Sequence, residues 1–432
     1  MLEQKYLAGD TSVNIAASVE AAVSSGKLSS GALLPPVRAL AAQLRVSPAT
    51  VAAAYRLLRD RGMVVADGRR GTRVRPAPPL SVPRAVPLPA GVRDLSEGNP
   101  DPALLPTLPK VTLEQRLYGQ ELNDPRLLQL AREQFREDRI PSSDFVSVVS
   151  GALDGIERVL REHLRPGDRV IVEDPCFTGI LDLLTALSLA PVPVPLDDEG
   201  LLAEPLRRAL RSAAALIVTP RAQNPSGASL SARRARTLRS ILAVRPDLLV
   251  LEDDHAGVVS GSDYVSLIDK SRERWAVVRS VSKSLGPDLR VALLASDAQT
   301  HARVEGRQTL GIRWVSHILQ QLVVALWRDR APARAGRIYT QRREALLREL
   351  RDRGIEAHGV SGLNVWIPVA EESATVQALH HAGWAVKAGE RYRLASPPAI
   401  RVTITTLEPP DATRFAQDLA AIIAPRLRAS GA

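Results

Sequence analysis

Residues 75–93 read RPAPPLSVPRAVPLPAGVR, and the six prolines of this stretch constrain the chain more than any other feature. Proline fixes φ and lacks the amide hydrogen that helices and sheets use, so the segment reads as a stiff, extended connector. It separates about 75 residues from about 340. A chain of 432 residues also exceeds what one hydrophobic core ordinarily serves, which independently calls for two or three folded units. We therefore expect domains at 1–75 and 94–432, with 76–93 between them.

In the first of these, Ile15, Val19, Ala22 and Val23 recur at helical spacing after Thr11, and Gly26 provides a stop. Pro35 and Pro36 open a second short helix with Val37, Leu40, Ala41 and Leu44 on one face. Ser47 is a natural N-cap, Pro48 suits the first helical position, Val51, Ala54, Tyr55 and Leu58 form the buried stripe, and Gly62 closes the third helix. Two short strands then flank Gly68, Arg69, Arg70 and Gly71. Three helices followed by a basic hairpin is the order of a winged helix-turn-helix. In that arrangement Ser47, Pro48, Ala49 and Thr50 lead into the major groove, while Arg38, Arg69, Arg70 and Arg73 face phosphates or the groove. Residues 1–75 hold eleven Lys and Arg against five Asp and Glu, so they carry six of the ten net positive charges. A small helical bundle with a solvated arginine face is the plainer alternative.

The longer unit alternates strand-like runs with amphipathic stretches, the pattern of an α/β domain. Five of its segments suit one ligand. In SVSKSLGPDLR the amine of Lys283 can meet an aldehyde, with Ser280, Ser282 and Arg290 as phosphate donors. In LLVLEDDHAG, Asp253 comes at the end of a buried strand, where a carboxylate can keep a pyridine nitrogen protonated. In TPRAQNPSG, Asn224 can donate to a phenolic oxygen. In SGALDGIERVL, Ser150, Gly151 and Ala152 lead into a helix whose first amides can hold an anion. In VEDPCFTG, Phe177 can lie flat on a ring. Taken singly, each has an ordinary reading: a solvated lysine, a salt-bridged acid, a turn, a common strand-to-helix junction, a core ring.

One cysteine, Cys176, excludes an internal disulfide framework, and no Cys/His cluster has the spacing of a metal site. No apolar run reaches the length of a membrane span and the N-terminus lacks an export signal, so a cytoplasmic protein is expected.

The segment LPPVRALAAQLRVSPATVAAAYRLLRDRGMV followed by GRRGTRV resembles the GntR-type winged helix-turn-helix, including Arg38, Ser47, Thr50, Tyr55 and the Gly71-Thr72 of the wing. The five later segments, in their order, resemble fold-type-I aminotransferases, and the fusion resembles the MocR-like regulators. The resemblance implies an α/β fold-type-I domain with a smaller C-terminal subdomain at about 331–432. It implies pyridoxal phosphate as cofactor, with Lys283 as the Schiff-base lysine, Asp253 on the pyridine nitrogen, Asn224 on the phenolic oxygen and Phe177 on the ring. Phosphate contacts would come from Ser150, Gly151, Ala152, Ser280, Ser282 and Arg290. Tyr118 would reach across from the partner of a homodimer, and Arg401 would hold a substrate carboxylate. Family members commonly carry tyrosine two residues after the pyridine-binding aspartate, whereas this chain has His255, whose imidazole can still hydrogen-bond the phenolic oxygen. The implied function is a regulator whose binding to operator DNA responds to pyridoxal phosphate or to an amino acid or other amine that reacts with it. The rival is a working aminotransferase with an incidental DNA-binding module.

Overall fold

The computed structural model describes residues 7–24, 27–29, 31–60, 63–66, 71–74, 88–110, 112, 114, 116–141 and 144–423. Arg69 and Arg70 of the expected wing, the expected stops Gly26 and Gly62, the hairpin Gly68 and residues 75–87 of the connector lie outside the described residues. The chain divides into two compact units, one holding residues 1–84 and the other most of residues 85–432.

The N-terminal unit consists of α1 (Ser12–Ser24), α2 (Val37–Leu44), α3 (Pro48–Asp60) and the antiparallel pair β1 (Val64–Ala66) and β2 (Thr72–Val74). Its core is Ile15, Val19, Leu40, Val51, Ala54 and Leu58, the apolar stripes of the three helices, all fully buried. Truncating Leu58 to Ala would cost about 2–5 kcal/mol at such a site. Pro36 occupies the N-cap of α2 rather than its first turn. The turn into α3 passes through Arg45 in the left-handed region (φ 57). The Ser47 hydroxyl then accepts the Thr50 amide at 3.1 Å, a cap worth about 1 kcal/mol. Tyr55 donates its hydroxyl to the Pro35 carbonyl at 2.7 Å, which ties α3 to the entrance of α2.

The second unit begins with β3 (Arg93–Asp94) and α4 (Pro125–Glu137) and continues through β4 (Val146–Val149), α5 (Ala152–His163), β5 (Arg169–Asp174), α6 (Thr178–Ala186), β6 (Ala190–Asp197) and β7 (Gly200–Leu201). After α7 (Ala203–Ala209) come β8 (Ala215–Val218), α8 (Ala232–Leu242), β9 (Leu249–Asp254), β10 (Trp275–Ser280) and β11 (Ala292–Ser296). Strands β4 to β11 form one eight-stranded sheet in the order β4-β11-β10-β9-β8-β5-β6-β7. Strands β9 and β10 are buried at every residue, which accounts for their nearly unbroken apolar runs. Because β8, β9 and β10 run parallel and β11 lies antiparallel to both β10 and β4, strand β4 points the same way as those three. Their carboxyl ends therefore meet at a single edge, where α/β sheets hold ligands.

Helices α9 (Ala298–Thr309), α10 (His317–Leu326) and α11 (Ala331–Arg351) lead to β12 (Asn364–Pro368), α12 (Glu372–His381), β13 (Trp384–Ala385), β14 (Lys387–Ala388), β15 (Ala399–Thr403) and α13 (Pro409–Ile423). The order β12-β15-β14 makes a small antiparallel sheet, and β13 pairs with β3. Its core gathers Tyr339, Leu346, Ile400, Phe415 and Leu419. Trp384 packs edge-on against Phe415 at 5.5 Å and donates its indole N–H to Asp418 at 2.7 Å. Among the described residues no helix is long and apolar enough to cross a membrane.

Candidate functional site

Ser150 follows β4, Asn224 follows β8, Asp253 is the penultimate residue of β9, and Ser280 to Lys283 leave β10. Arg290 precedes β11, so its antiparallel direction brings it to the same edge. Side chains from four parallel strand ends and one strand start are thus gathered at one place.

Asp253 and Asp254 are consecutive in β9, so their side chains leave opposite faces of the sheet. Asp254 is bonded by Arg221 Nε and Nη2, each at 2.9 Å, and by Arg279 Nε at 2.6 Å, and Arg279 also reaches Asp138 at 2.6 Å. The two guanidiniums flank the ring of Tyr264 at 5.3 and 4.9 Å. They hold the Asp254 carboxyl well below the usual range despite its burial. Asp253 has no such partner: Oδ1 is buried without a hydrogen bond. Burial, followed by the charge of Asp254, pushes its pKa up to about 7. Removing one member of the Asp254 cluster would leave a buried charge uncompensated, at a cost of about 3–5 kcal/mol.

Lys283 donates to the Gly98 carbonyl. Burial first, and the Arg401 charge second, bring its pKa down to about 8, against an opposing pull from Glu97. With its pKa about one unit above neutrality, roughly a tenth of the amine is uncharged at pH 7, the form that attacks a carbonyl.

Around the expected phosphate, Ser280 Oγ meets Ser282 Oγ at 3.1 Å, and Arg290 Nη2 donates to the Ser150 carbonyl at 3.3 Å. Gly151 has φ +102, where a side chain is strained, and a Cβ there would sit 2.5 Å from Arg290 Nη2 and have to displace that guanidinium. The Ser150 amide is already bonded to Asp154 at 2.9 Å, which leaves the Gly151 and Ala152 amides at the start of α5. Phe177 precedes α6 and folds over Gly179, where an added Cβ would meet its ring at 2.6 Å and Leu153 at 3.1 Å. Asn224 accepts from Arg401 Nη1 through Oδ1 at 3.1 Å, so its NH2 group remains as donor. Arg401 also donates to the Ser96 carbonyl and lies 5.1 Å from the Tyr392 ring centre. His255 Nε2 is 2.8 Å from the Ala222 carbonyl.

Tyr118 stands apart. The residue is 77% exposed, and its ring packs on Trp314 and Arg313, at 5.5 and 5.3 Å, rather than on any of these residues. Ser96, Gly98, Arg221, Arg279 and Tyr392 join the site or support it without any expectation from sequence. SEGNPD reads only as a turn, and arginines before Asn224 and Ser280 read as ordinary charges.

An orphaned buried carboxylate, a glycine cradle beside an arginine and two serines, and a partly neutral lysine fit a pyridine ring that carries an aldehyde and a phosphate. In the N-terminal unit, Arg38, Ser47, Pro48 and Ala49 are exposed and Thr50 is half-buried, at and before the start of α3. Gly71 immediately precedes β2 with φ +100, and Thr72 pairs with Ala66.

Residues 126–419 match the aminotransferase class I and II family, and residues 11–74 match the bacterial regulatory proteins of the gntR family. The vitamin B6 salvage pathway transcriptional repressor PtsJ of Salmonella typhimurium is 40% identical over 425 residues, 95% of this chain and 98% of that protein. The HTH-type pyridoxine biosynthesis transcriptional regulator PdxR of Corynebacterium glutamicum is 31% identical over 54% of this chain and 53% of its own. Among solved structures, the kynurenine aminotransferase of Pyrococcus horikoshii superposes with a TM-score of 0.69 at 20% identity, covering 79% of this chain and 92% of that one.

Proposed function

The chain belongs to the gntR family of bacterial regulators, in the MocR-type branch that carries an aminotransferase class I and II domain, and from that premise we propose that it is a repressor whose grip on operator DNA responds to pyridoxal phosphate. Residues 1–75 are the DNA reader, 76–93 the connector and 94–432 the sensor, with a C-terminal subdomain from about 331. Ser47, Pro48, Ala49 and Thr50 face the bases, while Arg38, Arg69, Arg70, Gly71 and Thr72 contact the backbone. The similarity to PtsJ along nearly the whole chain supports the repressor role and its link to vitamin B6.

The observation that carries the sensor reading is Asp253, a buried carboxylate whose Oδ1 lacks a partner and which a protonated pyridine nitrogen would satisfy. When bound, pyridoxal phosphate supplies an aldehyde that captures amines and a ring that accepts electrons. Lys283 presents its amine, Asp253 keeps the proton on the ring nitrogen, and Asn224 donates to the phenolic oxygen. Phe177 covers the ring, and Gly151, Ala152, Ser150, Ser280, Ser282 and Arg290 hold the phosphate. Arg401 orients the carboxylate of an incoming amino acid.

The functional unit is a cytoplasmic homodimer. Leu117, Tyr118, Leu310 and Ile312 are 70%, 77%, 81% and 53% exposed, and the contact of Tyr118 with Trp314 joins the two segments into one apolar patch of the kind that dimers cover. Tyr118 on this patch is available to a partner's site.

The test is operator affinity of cofactor-free and cofactor-loaded protein at fixed salt, alongside amino-group transfer from a panel of amino acids. A cofactor-dependent change in affinity that disappears in Lys283→Ala, together with the visible absorption of the loaded protein, is the expected result. Equal affinities combined with multiple turnovers would favour an aminotransferase.

A further inference from the structure

The position that departs from the family pattern is His255, and its surroundings assign it a direction. The Ala222 carbonyl can only accept, so the Nε2 atom 2.8 Å away must carry the hydrogen. The acceptor is itself pinned. Ala222 lies in the left-handed region (φ 56), its amide donates to Ser361 Oγ at 3.2 Å, and an added Cβ on Gly362 would sit 2.4 Å from its methyl group. A neutral imidazole with hydrogen on Nε2 has a bare lone pair on Nδ1. Among the described residues Nδ1 has no hydrogen-bond partner, and Lys283 is the charged group that acts most strongly on the ring.

We infer that His255 is a fixed hydrogen-bond acceptor toward the pocket, with Nε2–H committed to the Ala222 carbonyl and Nδ1 presenting a lone pair, so that it donates nothing to the phenolic oxygen of a bound cofactor. The inference rests on the cofactor reading above and changes the role expected of this position. A tyrosine hydroxyl would donate to that oxygen, whereas here Asn224 NH2 is the donor that its own contact with Arg401 leaves directed elsewhere. The charged groups around the imidazole agree with neutrality. Burial, Lys283 and Arg221 oppose its protonation, the Ala222 carbonyl and Asp254 favour it, and the balance brings its pKa down to about 4. With fewer donors, the deprotonated phenolic oxygen is less stabilised, and the protonated form of the loaded site persists to higher pH.

Two measurements on the full chain test this. In cofactor-free protein with 15N-labelled imidazoles, the signal lost in His255→Gln should be that of a neutral Nε2–H tautomer between about pH 6 and about pH 8. An Nδ1–H tautomer or an imidazolium would overturn the inference, and this readout needs no cofactor. In protein loaded with pyridoxal phosphate, the pH midpoint of the visible band should fall by about one unit, a tenfold change in the proton equilibrium, in His255→Tyr. It should move by no more than a few tenths in His255→Phe. A rise of about one unit in His255→Phe would show that the imidazole donates after all. Absence of any Lys283-dependent visible band would instead defeat the cofactor reading, while the tautomer measurement would still decide the direction of His255.

Discussion

Replacing Asp253 with Asn should stabilise the cofactor-free protein at alkaline pH and have little effect near pH 4. The folded pKa of Asp253 is raised from 3.8 to about 7, so protonation favours the folded state. Its contribution is fully present below the unfolded value and is lost as pH rises through the folded one. The interval spans about three pH units, and at about 1.4 kcal/mol per unit the ceiling on the penalty above pH 7 is about 4 kcal/mol. Asparagine matches the shape of the side chain and has no charge to bury, so the variant escapes the penalty. Water entering the pocket relaxes part of the cost, and a gain of about 2–4 kcal/mol at pH 8 is expected. Urea unfolding of both proteins, followed by tryptophan fluorescence at about pH 4.5 and about pH 8, reads the difference directly, because the other titrating groups are common to the two. A difference that does not change with pH, or a variant less stable than the parent at pH 8, would refute the account of Asp253 as an unpartnered buried acid. Adding pyridoxal phosphate should reverse the order, since the carboxylate then gains a cationic partner that the amide cannot replace.

Gly151→Ala should weaken cofactor binding by about tenfold or more, because a side chain at φ +102 costs about 1–3 kcal/mol and its Cβ must push the Arg290 guanidinium away from Ser150; absorbance titration measures it, and unchanged affinity would remove this turn from the phosphate site. Arg38→Ala should lower operator affinity for all sequences alike and reduce the slope of log affinity against log salt by about 0.9, as the loss of one phosphate contact requires. A changed sequence preference at constant slope would make Arg38 a base reader instead.

What the sequence determined by itself is what neighbouring residues decide. The stripe of Ile15 and Val19, the Ser47 cap and the proline at the head of α3 act within a few residues, and the helices they specify run at Ser12–Ser24 and Pro48–Asp60. The apolar runs of β9 and β10 are legible for the same reason, since a strand buried along its whole length needs little else to be recognised. The candidate ligand residues could be picked out because each lies in a short segment with its own chemical logic. Their meeting was decided by tertiary structure: the parallel course of β4, β8, β9 and β10 brings residues as far apart as Ser150 and Lys283 to one sheet edge. The states of these groups were decided there too. Asp253 and Asp254 are indistinguishable as neighbouring letters. One is charged because Arg279 from β10 and Arg221 from the loop after β8 converge on it, and the other is pushed toward neutrality because nothing does. The direction of His255 depends on a carbonyl 33 residues away. Desolvation and hydrogen-bond direction are properties of what surrounds an atom, and in this protein those surroundings are assembled from segments that only the fold brings together.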